Sequence, residues 1–137
     1  MEKKMNNKGF SMVELIIVIA IMAVLVVVAA PQYLKYVERG RNSTDRNNAT
    51  AIESALLVWA SDTEADKPFV AGTGTVTVDN DSMDVGGDAA LKDPIEAALA
   101  NANISGLTCQ SKTKWTSYEV KIVVDSNGKV TVSNNIP

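Results

Sequence analysis

The chain has 137 residues and a formal net charge of −3, enough for one domain with an anchoring segment and for a core that folds without staples. It contains no histidine, which removes the imidazole-dependent serine and cysteine dyads and most zinc sites. No other catalytic constellation takes their place, so neither an enzyme nor a cofactor is expected. Cys109 is the one cysteine, which rules out an intramolecular disulfide; it reads as a small buried hydrophobe, with intermolecular pairing or a reactive thiol as the alternatives.

Charge is unevenly spread. Lys3, Lys4 and Lys8 against Glu2 give residues 1–9 a net charge of +2, which leaves −5 on the remainder. That acidic balance gives no general reason to expect nucleic acid as a partner, since phosphate recognition leans on clustered positive charge.

Residues 15–30 read LIIVIAIMAVLVVVAA without a charge, preceded by Phe10, Met12 and Val13 and ended by Pro31. Counted from Phe10, an α-helix with a rise of about 1.5 Å per residue spans roughly 30 Å, the thickness of a bilayer's hydrocarbon. The lysines flank only its N-terminal side, which places the N-terminus in the cytoplasm and the rest of the chain outside. Glu14 separates the possible uses of such a segment. A carboxylate in a membrane helix costs about 2 to 3 kcal/mol at the centre and less near the headgroups, and neither a signal peptide nor a plain anchor needs one. A partner that neutralises it is therefore expected. Val28, Ala29 and Ala30 supply small residues for a signal peptidase, but Pro31 follows at once and the apolar run exceeds an ordinary signal core.

The stretch Lys8-Gly9-Phe10-Ser11-Met12-Val13-Glu14-Leu15 resembles the class III signal sequence of type IV prepilins and pseudopilins. The likeness joins a short basic leader ending in glycine, a phenylalanine after it, a glutamate four positions on, a long apolar helix and a proline at position 31, and it covers about the first thirty-five residues. It implies a cut between Gly9 and Phe10 by a membrane-embedded prepilin peptidase, N-methylation of Phe10, and a filament in which the Phe10 amine and the Glu14 carboxylate pair between neighbouring subunits and set axial register. Pro31 removes a helix hydrogen bond and would kink or locally melt the helix. The implied partners are other copies of the chain, the peptidase, an inner-membrane assembly platform and, before assembly, membrane lipid. The implied route is from the cytoplasmic membrane to an extracellular or cell-surface filament.

Beyond Pro31 the helix is expected to continue to about Trp59 on the spacing of Leu34, Val37, Ile52, Ala55, Leu56 and Trp59, with Ile52, Ala55, Leu56 and Trp59 facing a core. Residues 40–50 are polar, with Asn42, Asn47 and Asn48, which predicts a narrow stripe or a frayed helix. Lys35, Arg39, Arg41 and Arg46 make this region basic, opposite the carboxylates of residues 62–93, which reads equally as complementarity between subunits or as two solvated faces, with phospholipid-headgroup contact before assembly as a further alternative.

Residues 61–93 read as a variable loop with a short strand at residues 73–78. Its run DNDSMDVGGD, residues 79–88, invites a calcium reading but fails the EF-hand pattern: with Asp79 and Asp81 as the first ligands, Met83 falls at the third and Asp84 where the loop glycine belongs. The expectation is a solvated loop and no metal. Asp93-Pro94 predicts a helix start running to about Asn101. Tyr118, Val120, Ile122 and Val124 alternate with Glu119, Lys121 and Val123; after Asp125-Ser126-Asn127-Gly128 come Val130 and Val132, the pattern of a β-hairpin.

The expected fold is α+β and pilin-like: a long N-terminal helix, its first half transmembrane, packed against a small antiparallel sheet. The expected divisions are 1–9 leader, 10–31 membrane and assembly helix, 32–60 helix continuing into the head, and 61–137 head. The expected function is that of a structural filament subunit, with Gly9 and Phe10 as processing residues and Phe10, Glu14 and Pro31 as assembly residues. The alternative is a membrane-anchored extracellular binding domain that does not polymerise.

Overall fold

A computed structural model describes residues 9–137. It divides into two units, one ending at Val37 and one spanning Glu38–Pro137. The elements in chain order are α1 (Met12–Ser61), β1 (Gly72–Val78), β2 (Met83–Gly87), α2 (Ala89–Asn101), β3 (Tyr118–Val124) and β4 (Val130–Asn134).

In the first unit, α1 is long and apolar enough to cross a membrane. Its large apolar side chains point outward all round the helix, from Phe10 and Met12 through Val28. Such a helix leaves its surface to be covered by lipid or by other chains. Pro31 lies inside α1 without ending it. The expected local melting is absent: losing one backbone hydrogen bond does not outweigh the helical turns on either side.

The second unit is a helix-on-sheet layer. From Glu38 onward, α1 presents Ala49, Ile52 and Leu56 to a core completed by Val76 and Val78 of β1, Tyr118, Val120, Ile122 and Val124 of β3, and Leu91, Ile95, Ala98 and Leu99 of α2. The sheet is antiparallel throughout, in the order β2-β1-β3-β4. Register follows from the period of two: Val76 pairs with Val120 and Val78 with Tyr118, so the buried residues of both central strands share one face. The hairpin falls where the sequence puts it. Gly128 takes φ 83°, and Asp125 Oδ1 accepts the amides of Asn127 and Lys129.

Two expectations require correction. Residues 83–87 of the presumed loop form β2, the edge strand, because their backbone pairs with β1 from Gly74↔Gly87 to Val78↔Met83. That pairing satisfies main-chain groups whatever the side chains are. Helix α2 opens at Ala89 with Asp88 as its N-cap residue, not at Asp93, and it carries Pro94 internally. The earlier start puts Leu91 in the core, and the Asp88 carboxylate accepts the Thr73 amide at 2.7 Å, fixing the helix start to β1. Gly74 makes the close approach possible. A Cβ there would collide with Ile95 Cδ1.

Gly74→Val is expected to destabilise the protein by about 1 to 3 kcal/mol through overpacking. Leu56→Ala is expected to cost about 2 to 5 kcal/mol through lost burial and a residual cavity. Thermal unfolding of the full chain in detergent checks both, and an unchanged midpoint for Gly74→Val would contradict the packing of α2 on β1.

Candidate processing and assembly segment and the head clamp

Gly9, Phe10 and Ser11 precede the helix in non-helical backbone. Helix α1 then opens on a reciprocal cap: the Glu14 amide donates to Ser11 Oγ at 3.2 Å, and the Ser11 amide donates to Glu14 Oε2 at 3.3 Å. Ser11-Met12-Val13-Glu14 thus forms a capping box, which offsets two of the unpaired N–H groups at the helix start. The signal was in the sequence, a serine three residues before a glutamate at the head of an apolar run.

Of the expected site residues, Gly9, Phe10 and Glu14 lie together at the start of α1, with Phe10 83% exposed. Pro31 lies farther along the same helix. The basic residues Lys3, Lys4 and Lys8 fall outside the described residues.

The second unit holds a polar site that the sequence reading passed over. Glu38, Asn42, Asp45, Ala49, Ile52 and Leu56 recur at spacings of four and three, so the polar residues of the middle of α1 occupy the same stripe as its core residues. Asp45 is fully buried. It accepts the Gln110 amide at 2.7 Å, the Ser111 amide at 2.9 Å, Trp115 Nε1 at 2.8 Å and the Cys109 thiol at 3.4 Å. Two helical turns earlier, Glu38 Oε1 accepts Ser111 Oγ at 2.7 Å and the amides of Lys112 and Thr113 at 2.9 and 3.0 Å. Ser111 joins the two carboxylates into one network, its amide on Asp45 and its hydroxyl on Glu38, and with its amide oriented to donate Asn42 reaches Ser111 Oγ at 2.9 Å.

Segment 109–115 has no strand or helix of its own; the amides of residues 110–113 find acceptors on α1, while the Cys109 amide donates to the Asp79 carbonyl at 2.8 Å. The middle of α1 is therefore not frayed, and its buried stripe is the narrow one of Asn42, Asp45 and Ala49. Its polar side chains are the ones the loop requires.

These contacts also govern protonation. The Ser111 hydroxyl and the Thr113 and Lys112 amides hold the Glu38 carboxyl down at about 2, against the opposing effect of burial. Burial, reinforced by the Asp45 carboxylate, pushes the Cys109 thiol up to about 11. Burial likewise raises the Tyr118 hydroxyl to about 12. Cys109 belongs to the core cluster and donates to Asp45, as a small buried residue rather than a thiolate nucleophile.

Two of the basic residues of α1 are engaged within the unit. Arg41 pairs with Glu38 at 3.8 Å, and Arg46 donates to the Pro137 carbonyl at 3.2 Å while lying 5.8 Å from the centre of the Trp115 ring. Trp59 packs at the edge of the core and donates from Nε1 to the Lys67 carbonyl at 2.8 Å. In the run 79–88, Asp84 accepts the Ser82 hydroxyl and Asp88 accepts the Thr73 amide of β1. Among the described residues no group of three or more metal-ligating side chains comes together.

Residues 4–30 match the family model described as the prokaryotic N-terminal methylation motif. Over 82 residues the chain is 37% identical to the type IV major fimbrial protein FimA of Dichelobacter nodosus, covering 57% of this chain and 51% of that protein. It is 31% identical over 101 residues to prepilin peptidase-dependent protein A of Clostridium perfringens (strain 13 / Type A), covering 69% and 71%. It is 32% identical over 118 residues to fimbrial protein Q of Moraxella bovis, covering 73% and 75%. The chain spans about half the length of the FimA proteins that it matches. No solved structure matches it. The chain belongs to the type IV pilin family.

Asp45→Asn keeps the shape but turns two amide hydrogens toward converging donors. A loss of about 3 kcal/mol or more is expected in thermal or denaturant unfolding, since several buried donors lose their acceptor at once. The Glu38 carboxylate stabilises the fold above its unfolded value of 4.5, and that contribution is lost as pH falls from there toward 2. The melting-point difference between wild type and Glu38→Gln should be constant from pH 5 to 8 and shrink below pH 4.5. Cys109 should resist iodoacetamide at pH 8 in the folded chain and react when the chain is unfolded.

Proposed function

We propose that this protein is a structural subunit of a type IV pilus or pilus-like filament, assembled through its N-terminal helix. One observation carries the reading: the apolar side chains of α1 between Met12 and Val28 stand exposed, uncovered by the rest of the chain, within the stretch that matches the methylation motif. Lipid covers such a helix in the membrane. In a filament the same helices cover one another, with association driven by packing and polar pairing rather than by area, because lipid tails are as apolar as the side chains.

In this reading residues 1–9 are a leader, 10–31 the membrane and assembly helix, 32–60 its continuation into the head, and 61–137 the head. A prepilin peptidase cuts after Gly9, which the name of the Clostridium perfringens relative supports, and Phe10 is then N-methylated, which the family model supports. Lys3, Lys4 and Lys8 keep the N-terminus in the cytoplasm before the cut. The new Phe10 amine meets Glu14 of a neighbouring subunit, and each charge lowers the other's burial cost. Pro31 lets the two parts of α1 adapt between membrane and filament. An assembly platform in the inner membrane extracts the helix, and the filament stands at the cell surface. The role is structural, not catalytic.

Gly9→Leu is expected to leave full-length precursor in the membrane. Glu14→Ala should be cut yet yield few or no filaments in sheared surface fractions viewed by electron microscopy. Extracellular protein that begins at a residue other than Phe10, by mass spectrometry, would sink the processing step. Normal filaments from Glu14→Ala would remove the register role, and a cut protein that never polymerises would favour a membrane-anchored binding domain.

A further inference from the structure

We infer that Ser11 is a positioning residue for the cut after Gly9: by capping α1 it stops the helix at Met12 and leaves the Gly9–Phe10 peptide bond in open backbone. The inference rests on the processing reading above and adds a residue to it. Hydrolysis there adds water across the bond, giving a Gly9 carboxylate and a Phe10 amine.

The geometry is specific. The Leu15 amide donates to the Ser11 carbonyl at 3.2 Å, so the first helical hydrogen bond closes on Ser11, and residues 9–11 stay outside the helix. Ser11 Oγ takes the Glu14 amide, and Glu14 Oε2 takes the Ser11 amide. A peptidase must draw the scissile amide into its own cleft in an extended form, whereas a helical amide is shielded by side chains and held by the turns before and after it.

An uncapped helix start at the edge of an apolar layer leaves N–H groups without acceptors, which is costly where water is scarce. Adding a turn backward relieves that cost by moving the open N–H groups toward the charged leader. That turn would enclose Gly9 and Phe10. Gly9 resists the extension by its poor helix propensity, and Ser11 resists it by satisfying the N–H groups where they are. Glu14 supplies the weaker half of the box, so Ser11 keeps its cap when Glu14 is truncated.

The test uses the full precursor in membrane vesicles with a prepilin peptidase, following the initial rate at which product beginning at Phe10 appears by mass spectrometry. Ser11→Ala and Ser11→Val lack a capping acceptor, whereas Ser11→Thr, Ser11→Asp and Ser11→Asn retain one in three different shapes and two charges. Cutting should slow about fivefold for Ala and Val, and remain within about twofold of wild type for Thr, Asp and Asn. Amide-exchange protection at Phe10 should rise in Ala and Val alone. Rates that follow side-chain size, with Ala cut as fast as Ser or Asn and Asp as slow as Ala, overturn the inference. Wild-type precursor that is not cut at Gly9–Phe10 overturns the processing reading itself, whereas clean wild-type cutting with equal rates across the set overturns only the role of Ser11.

Discussion

Asp45 lies on the buried side of α1 with four donors converging on its two carboxylate oxygens: three from the backbone and thiol of residues 109–111 and one from the Trp115 indole. Burying a carboxylate is costly unless nearly every lone pair is used, and here they are used by groups that have nowhere else to go. The long connection between α2 and β3 has no regular structure, so its buried N–H groups need acceptors. Without Asp45 and Glu38 the loop would have to leave the helix, exposing Cys109 and the ends of β1 and β3. A chain with a single cysteine cannot close this connection with a disulfide, and a charge-assisted network closes it instead.

That network also explains how one helix serves two environments. From Leu15 to Ala30, α1 is apolar all round, suited to lipid or to packing against its own kind. From Glu38 the helix carries a single buried stripe, polar in its first two turns and apolar after Ala49. The polar turns face a loop and the apolar turns face the sheet, so the composition of the stripe changes with what it covers. The filament reading uses the first part as the polymerising surface and leaves the second to hold the head.

The start of α1 shows the same economy of backbone partners. Glu14 in the uncut chain is bonded to Ser11, and the assembly reading gives the same carboxylate to a new amine after cleavage. A carboxylate held locally at 3.3 Å by one amide is weakly committed. A cation formed by the cut is a stronger partner.

Much of this was legible in the sequence. The apolar run with its flanking lysines, the Gly9-Phe10 motif with Glu14, the alternation of Tyr118 to Val124 and the glycine turn at 128 each follow from a local rule, and local rules can be read in order along the chain. The core stripe Ile52, Ala55 and Leu56 was equally plain. What only the tertiary structure decided were the pairings between distant segments. Strand β2 has a composition that reads as loop, and it is a strand because β1 offers it an edge. Helix α2 starts at Ala89 because Asp88 and Leu91 meet β1. Asp45 stands in a polar stretch with no local mark of burial, and it is buried because residues 109–115 pack against it. Periodicity records which side of an element is buried, but the partner that makes a buried carboxylate tolerable lies more than sixty residues away in the chain, and only folding brings it there.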